Sequence, residues 1–92
     1  MSGLSEWLKS GKTKIVDVRS REEFMGGHVA ESINIPLNEI PQHLDELKNM
    51  GQVILCCASG GRSGQATTFL GQNGIPCING GSWTNVNYYK NN

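Results

Sequence analysis

Val53-Ile-Leu-Cys-Cys-Ala-Ser-Gly-Gly-Arg-Ser-Gly64 decides the fold of this chain. The segment begins with a continuous apolar run, Val53 to Cys57, as expected of a strand at the centre of a parallel sheet. Glycines and small residues follow, and then a helix is predicted from about Arg62 to Asn73, ending at Gly74. A buried strand, a short loop and a helix together predict an α/β protein with a parallel sheet.

The residues before this segment alternate in the same way. A helix is predicted over Leu4 to Ser10 and a strand over Lys14 to Val18. Ser20 and Glu23 have the spacing of a capping box, which predicts that a helix begins there and ends at the glycine pair Gly26-Gly27. These elements supply a helix, a strand and a second helix ahead of the central strand.

Two further strands and two further helices complete the pattern. Ser32 to Ile35 is predicted as a brief strand, and Pro41 is placed in the first turn of a helix that Gly51 closes. Pro76 to Asn79 is predicted as the last strand, and Trp83 to Tyr89 as a final helical turn. The glycine pairs, including Gly80-Gly81, are predicted to lie in loops. We therefore expect a small parallel sheet of four or five strands, flanked by helices on both faces.

Length and composition set limits on the class of protein. The 92 residues favour a single domain, residues 1–92. Eight basic residues balance eight acidic ones, which is not the footprint of a nucleic-acid-binding protein. The longest apolar run, Val53 to Ala58, is too short to cross a membrane, and the N-terminus carries no apolar signal core. We expect a soluble, cytoplasmic monomer with no membrane partner.

The three cysteines are an odd number and include an adjacent pair, which argues against a disulfide framework. No cysteine and histidine spacing matches a zinc site, so neither a metal nor another cofactor is expected. Cys57 lies where the buried strand ends and the glycine-rich loop begins. Inward-pointing loop amides, the start of the next helix and Arg62 would all favour an anionic sulfur, so we predict a lowered thiol pKa and a nucleophilic Cys57.

The other two cysteines are interpreted as packing residues. Strand alternation places the side chain of Cys56 on the opposite face of the sheet from that of Cys57. Cys77 precedes Ile78 in the predicted last strand. Buried strand cysteines are usually inert, and this interpretation suits both positions.

Cys57-Ala-Ser-Gly-Gly-Arg-Ser63 resembles the active-site loop of the rhodanese family, Cys-x-x-Gly-x-Arg-Ser. Three more segments occur in the order of that family: Val16 to Phe24, Gly27 to Pro36, and Gly80 to Trp83. The resemblance covers Ile15 to Trp83 and implies a rhodanese-like α/β fold. It also implies a sulfurtransferase that moves sulfane sulfur from a donor such as thiosulfate to cyanide or a thiol, a protein thiol included.

The resemblance implies a role for each residue that matches the family motifs. Cys57 would carry the sulfur as a persulfide, and Asp17 and Arg19 would brace the site. The residues that would cradle the sulfur are Ala58, Ser59, Gly60, Gly61, Arg62 and Ser63. The chain departs from the family in lacking the short strand that usually opens the domain, which favours four strands. It also has no cation between Cys57 and Arg62, which weakens the case for thiosulfate as the natural donor.

Three alternatives stand beside this interpretation. Cys56 and Arg62 fit the Cys-x5-Arg signature of cysteine phosphatases, although a leucine precedes Cys56 where those enzymes usually have histidine. A non-catalytic rhodanese-like binding module is the second alternative. A redox sensor with a Cys56–Cys57 disulfide is the third, but adjacent cysteines bridge only with strain. The cysteine at the focus of the loop amides discriminates between the sulfurtransferase and the phosphatase.

Overall fold

A four-stranded, wholly parallel sheet lies at the centre of the computed structural model, which describes residues 2–92. Its strands are β1 (Thr13–Asp17), β2 (Ile33–Asn34), β3 (Gln52–Cys57) and β4 (Cys77–Ser82). Their order across the sheet is β2-β1-β3-β4. The predicted α/β architecture is confirmed, and the number of strands is the lower of the two expected.

Within the described residues, five α-helices surround the sheet: α1 (Ser2–Lys9), α2 (Arg21–Met25), α3 (Leu44–Asn49), α4 (Gly61–Gln72) and α5 (Trp83–Lys90). A 3-10 helix, Leu37–His43, precedes α3. Helix α2 begins with the predicted capping box, in which the Ser20 hydroxyl accepts the Glu23 N–H and the Glu23 carboxylate accepts the Ser20 N–H. Because β1 ends at Asp17 and α2 begins four residues later, this cap fixes the chain at the carboxyl edge of the sheet.

The sheet separates two apolar cores. Helices α1 and α5 cover one face, where Leu4 and Val86 pack with Ile54 and Cys56 of β3. The 3-10 helix, α3 and α4 cover the other face, whose core includes Leu55 and Cys57 of β3 together with the residues Val16, Val18, Ile35, Ile40, Leu47, Val53, Ala66, Leu70 and Ile75. Side chains alternate along a strand, so the two neighbouring cysteines belong to different cores.

The start of the third predicted helix was wrong. Pro41 lies inside the 3-10 helix, and the α-helix begins only at Leu44. Inside an α-helix the proline ring would clash with the carbonyl four residues earlier, and a short 3-10 segment forms at this position in place of the α-helical turn. The 3-10 helix opens after Pro36, whose carbonyl accepts the Glu39 N–H at 2.8 Å.

The predicted end of the last strand was also wrong. We expected β4 to stop at Asn79 and Gly80-Gly81 to form a loop, but the strand continues to Ser82, with a register shift opposite Leu55 and Cys56. A Cβ on Gly80 would lie 2.6 Å from Cγ2 of Val86, a distance that real Cβ atoms do not show. This glycine therefore allows β4 to pack closely against Val86 of α5 and Ile54 of β3 and does not serve a turn.

Candidate active site

Cys57 is the last residue of β3, at the carboxyl edge of the sheet, and only 1% of it is exposed. The loop that follows reaches Gly60, the N-cap of α4, which has φ +106°. This left-handed conformation favours glycine. It turns the chain at once into α4 and brings the start of that helix against the sulfur.

The sulfur of Cys57 is surrounded by hydrogen-bond donors of the loop. The Gly60 N–H donates to Sγ at 3.0 Å, and the Ser63 N–H donates to it at 3.4 Å. The Ser63 hydroxyl oxygen lies 3.3 Å from the same sulfur. The focus of the loop amides is thus the sulfur of Cys57, the second cysteine of the adjacent pair.

These contacts explain the acidity of Cys57. Burial opposes ionisation of the thiol, but hydrogen bonds from the Ser63 hydroxyl and from the amides of Ser63, Gly60 and Ser59 outweigh it. Together they lower the pKa of Cys57 to about 7. A thiol with this pKa is substantially ionised at neutral pH, and the thiolate is the nucleophilic form.

Arg62 does not turn its guanidinium toward the sulfur. Its Nη1 and Nη2 donate to Oε1 and Oε2 of Glu23, at 2.7 and 3.0 Å. This bidentate pair first, and then the Ser20 N–H, lower the pKa of Glu23 to about 2. The charge of Arg62 is therefore balanced by Glu23, and the lowered pKa of Cys57 is explained by hydrogen bonds of the loop.

Asn79 supports the loop from β4. Its Oδ1 accepts the Ser63 hydroxyl at 2.7 Å and the Gly81 N–H at 3.0 Å. Its Nδ2 donates to the carbonyl of Gly60 at 3.1 Å. Asn79 thus contacts both Gly60 and Ser63, which donate their N–H groups to the sulfur.

Asp17 and Arg19 form a buried ion pair at the end of β1. Arg19 donates to the Asp17 carboxylate through Nε and Nη2, and Nη2 also donates to the carbonyl of Gly27. The guanidinium stacks over Trp83 at 5.0 Å. The pair connects β1, the loop after α2 and the start of α5, so its contacts are those of a brace.

The other two thiols lie in unreactive surroundings. Cys56 is fully buried on the opposite face, and burial, with the nearby Asp17 carboxylate, raises its pKa to about 12. Burial also raises the pKa of Cys77. All three cysteines are free.

A cleft of about 620 Å³ opens beside the loop. Arg62 lines one side of it, Arg21 and Glu22 of α2 another, and Leu37 and Glu39 of the 3-10 helix a third. Arg21 and Glu39 form a second bidentate ion pair there, at 2.8 and 3.0 Å. The cleft thus combines apolar and charged side chains next to α4.

The structure places the sequence-predicted residues in three groups. Cys57, Gly60 and Ser63 meet at the sulfur, with the exposed Ala58, Ser59 and Gly61 at the rim of the loop. Arg62 faces Glu23, and Asp17 with Arg19 forms the brace.

Two contributors were missed by sequence reasoning. Glu23 was assigned only the role of a cap residue, because its pairing with Arg62 joins positions 39 residues apart. Asn79 left no signal, because its contacts depend on how β4 lies next to β3.

None of the helices among residues 2–92 is long and apolar enough to cross a membrane. The sequence model of the rhodanese-like domain family matches residues 2–90. A structure described as a rhodanese-like domain protein from Staphylococcus aureus superposes with a TM-score of 0.74 at 31% identity, covering 82% of this chain and 74% of that one. The fold and the order of motifs thus agree with one family.

Proteins of known sequence point the same way. The chain is 40% identical over 63 residues to the uncharacterized protein YqhL of Bacillus subtilis, covering 68% of this chain and 50% of that protein. It is 33% identical over 60 residues to a sulfurtransferase of Allochromatium vinosum, covering 65% of this chain and 56% of that protein. It is 37% identical over 83 residues to the chloroplastic thiosulfate sulfurtransferase 16 of Arabidopsis thaliana, covering 74% of this chain and 69% of that protein. The chain spans about half the length of the first two.

Proposed function

Because this chain belongs to the rhodanese-like domain family, we propose that it is a sulfurtransferase that carries sulfane sulfur as a persulfide on Cys57. The donor is thiosulfate or a persulfide, and the acceptor is cyanide or a thiol, which includes a protein cysteine. The observation that carries the proposal is the set of loop groups around one sulfur: the N–H groups of Gly60 and Ser63 donate to it, and the Ser63 hydroxyl oxygen lies 3.3 Å from it. Relatives named sulfurtransferases support it.

The first half of the reaction loads the cysteine. The Cys57 thiolate attacks the outer sulfur of the donor, and its electron pair forms a new sulfur–sulfur bond. The bond between the outer sulfur and the rest of the donor breaks, and the leaving group departs with the electron pair of that broken bond, as sulfite from thiosulfate or as a thiolate from a persulfide. The pKa of about 7 makes the attacking thiolate available at neutral pH.

The second half returns the enzyme to its starting state. The acceptor attacks the outer sulfur of the Cys57 persulfide, the bond to Sγ breaks, and the electron pair returns to Cys57 as a thiolate. Cyanide leaves as thiocyanate, and a thiolate leaves as a persulfide. The loop amides that donate to the thiolate are positioned to donate to a persulfide anion as well, because the negative charge stays within the same cradle.

The same geometry favours sulfur transfer over phosphate hydrolysis. A phosphatase of the Cys-x5-Arg type would use Cys56, whose thiol is buried in the opposite core with a raised pKa. It would also use the guanidinium of Arg62 to bind phosphate oxygens, yet this group is paired with Glu23. Neither arrangement suits a phosphate ester.

A transfer assay with matched variants tests the proposal. Thiocyanate formation is measured with cyanide as acceptor, first with thiosulfate and then with a small-molecule persulfide as donor. We expect Cys57→Ser to abolish transfer and Cys56→Ser to keep most of it. Loss of transfer in Cys56→Ser but not in Cys57→Ser, or turnover of a phosphate ester in its place, would contradict the proposal.

A further inference from the structure

The hydroxyl of Ser63 has two partners that compete for one proton. Its oxygen lies 2.7 Å from Oδ1 of Asn79 and 3.3 Å from the sulfur of Cys57. A serine hydroxyl can donate only one hydrogen bond at a time, although it can accept others. The shorter distance places the proton on the Asn79 side, which leaves the oxygen free to accept a proton from the Cys57 thiol.

The orientation of the Asn79 amide is fixed from both ends. Gly81 donates its N–H to Oδ1 at 3.0 Å, and the carbonyl of Gly60 accepts Nδ2 at 3.1 Å. Exchanging the oxygen and nitrogen would set donor against donor at Gly81 and acceptor against acceptor at Gly60. The atom facing Ser63 is therefore an acceptor, and it attracts the hydroxyl proton away from the sulfur.

The requirement reverses when the sulfur becomes an anion. A thiolate or a persulfide anion has no proton to give and stabilises itself by accepting hydrogen bonds. The Ser63 hydroxyl can meet this demand by rotating toward the sulfur and leaving Oδ1 of Asn79, which retains the Gly81 N–H. The Ser63 hydroxyl therefore loses its hydrogen bond to Asn79 when it donates to the anionic sulfur.

We propose that Asn79 is a positioning residue that acts on Cys57 through Ser63, holding the hydroxyl proton while the sulfur is a thiol and releasing it when the sulfur is an anion. Asn79 thereby limits how strongly Ser63 stabilises the anionic sulfur. This inference concerns the same cysteine as the proposed function and rests on its use as the nucleophile. Asn79 itself lies outside the contacts of the sulfur, at 3.1 Å from the Gly60 carbonyl on the outer side of the loop.

Asn79 also has a structural role, and a test must separate it from the effect of Asn79 on the Ser63 hydroxyl. Its contact with the Gly60 carbonyl steadies the residue whose N–H donates to the sulfur at 3.0 Å. Losing that support weakens the donor, so it moves the acidity of Cys57 in the opposite direction from freeing the Ser63 hydroxyl. Only the second effect requires the hydroxyl of Ser63.

The experiment is a double-mutant cycle on the rate of Cys57 alkylation against pH. Four proteins are compared: the parent chain, Asn79→Ala, Ser63→Ala and the double variant. We expect Asn79→Ala to move the alkylation midpoint down by roughly 0.5 to 1 pH unit when Ser63 is present. The reason is that one hydrogen bond to an anion lowers the pKa of that group by about one unit. In the Ser63→Ala background, the same substitution should leave the midpoint unchanged or raise it.

The charged and titratable groups around the loop stay constant through the cycle. They are the Arg62–Glu23 pair, the Asp17–Arg19 pair and the thiol of Cys56. None is altered by either substitution, so a shift of the midpoint reports on the hydrogen bonds. An equal shift in both backgrounds, or an upward shift of Asn79→Ala with Ser63 present, would overturn the inference.

Asn79→Leu provides a second test if the alanine variant does not fold, because leucine keeps the volume but neither accepts nor donates. We expect the same downward shift of the alkylation midpoint when Ser63 is present. In the Ser63→Ala background we expect no downward shift. Alkylation uses no sulfur donor, so the result is independent of the transfer assay. A cycle that behaves as expected in a protein that fails to transfer sulfur would retain the Asn79 inference and reject the proposed function.

Discussion

Cys56 and Cys57 are consecutive residues of β3, yet they lie in opposite halves of the molecule. The side chain of Cys56 enters the core beneath α1 and α5, where burial and the Asp17 carboxylate raise its pKa to about 12. The side chain of Cys57 enters the other core at the end of the strand, where loop donors lower its pKa to about 7. Both thiols are almost fully buried.

The difference shows that exposure does not decide which thiol ionises. Burial raises the pKa of both, and only Cys57 has donors that outweigh it. Those donors exist because α4 begins within hydrogen-bond distance of the strand end, and Gly60 permits the turn. Because side chains alternate along the strand, Cys56 packs in one core, while Cys57 faces the loop at the start of α4.

The largest expected effect is a difference in reactivity between the two thiols. In the folded protein near neutral pH, we expect Cys57 to react with iodoacetamide roughly a thousandfold faster than Cys56, since only Cys57 has an appreciable thiolate fraction. Peptide mapping after timed alkylation measures both rates in one sample. The rate at Cys57 should have its midpoint near pH 7, below the free-thiol value of about 8.5.

Unfolded protein in denaturant provides the control, because there the two cysteines should react at similar rates. Comparable rates in the folded state, or a midpoint for Cys57 at or above the free-thiol value, would remove the distinction between the two faces.

A substitution at Gly80 probes how tightly the Cys56 face is packed. An added Cβ would lie 2.6 Å from Cγ2 of Val86 and 2.9 Å from Cγ2 of Ile54. We expect Gly80→Ala to lower the free energy of unfolding by about 1–3 kcal/mol, the usual cost of overpacking a core. Denaturant unfolding measures the change.

Gly71→Ala is the matched control for this substitution. Gly71 lies in the last turn of α4, and a Cβ there meets no atom within 4 Å. We expect this variant to gain up to about 1 kcal/mol, because alanine is a better helix former than glycine. If Gly80→Ala were as stable as the parent, the side chains packed on the Cys56 face would be able to shift and accommodate the added methyl group.

The smallest expected effect concerns the Arg62–Glu23 pair on the Cys57 side. The pKa of Glu23 falls from 4.5 to about 2 in the folded protein, so the pair stabilises the fold above about pH 4.5, and this contribution is lost as pH falls toward 2. Both side chains are more than one-third exposed, which makes the contribution small. Glu23→Gln keeps an acceptor for the Ser20 cap and removes the charge.

Denaturant midpoints of the parent and Glu23→Gln, measured from pH 7 down to 2, test this. The parent should be slightly more stable at pH 7, and the difference should vanish near pH 2. Glu22→Gln removes one charge from the same turn of α2 and serves as the control. A difference that grows as pH falls would contradict the assigned direction.

The sequence was sufficient wherever local rules decide the structure. The apolar run of β3, the capping box of Ser20 and Glu23, and strand alternation at the two cysteines all follow from residue spacing. These rules predicted the parallel α/β fold and the separation of Cys56 from Cys57.

The sequence was insufficient wherever distant segments meet. Gly80 was assigned to a loop because its close contacts with Val86 and Ile54 come from tertiary packing. The pairing of Arg62 with Glu23 joins residues 39 positions apart, so the arginine was expected to act on the sulfur directly. Asn79 reaches Ser63 only because β4 pairs with β3.

The intact mass of the protein after incubation with excess thiosulfate, or with a small-molecule persulfide, tests the central claim most directly. The parent chain and Cys56→Ser should each gain one sulfur atom, which a reductant removes, and Cys57→Ser should gain none. A gain of sulfur that persists in Cys57→Ser, or no gain in the parent chain with either donor, would contradict the assignment of Cys57 as the sulfur carrier.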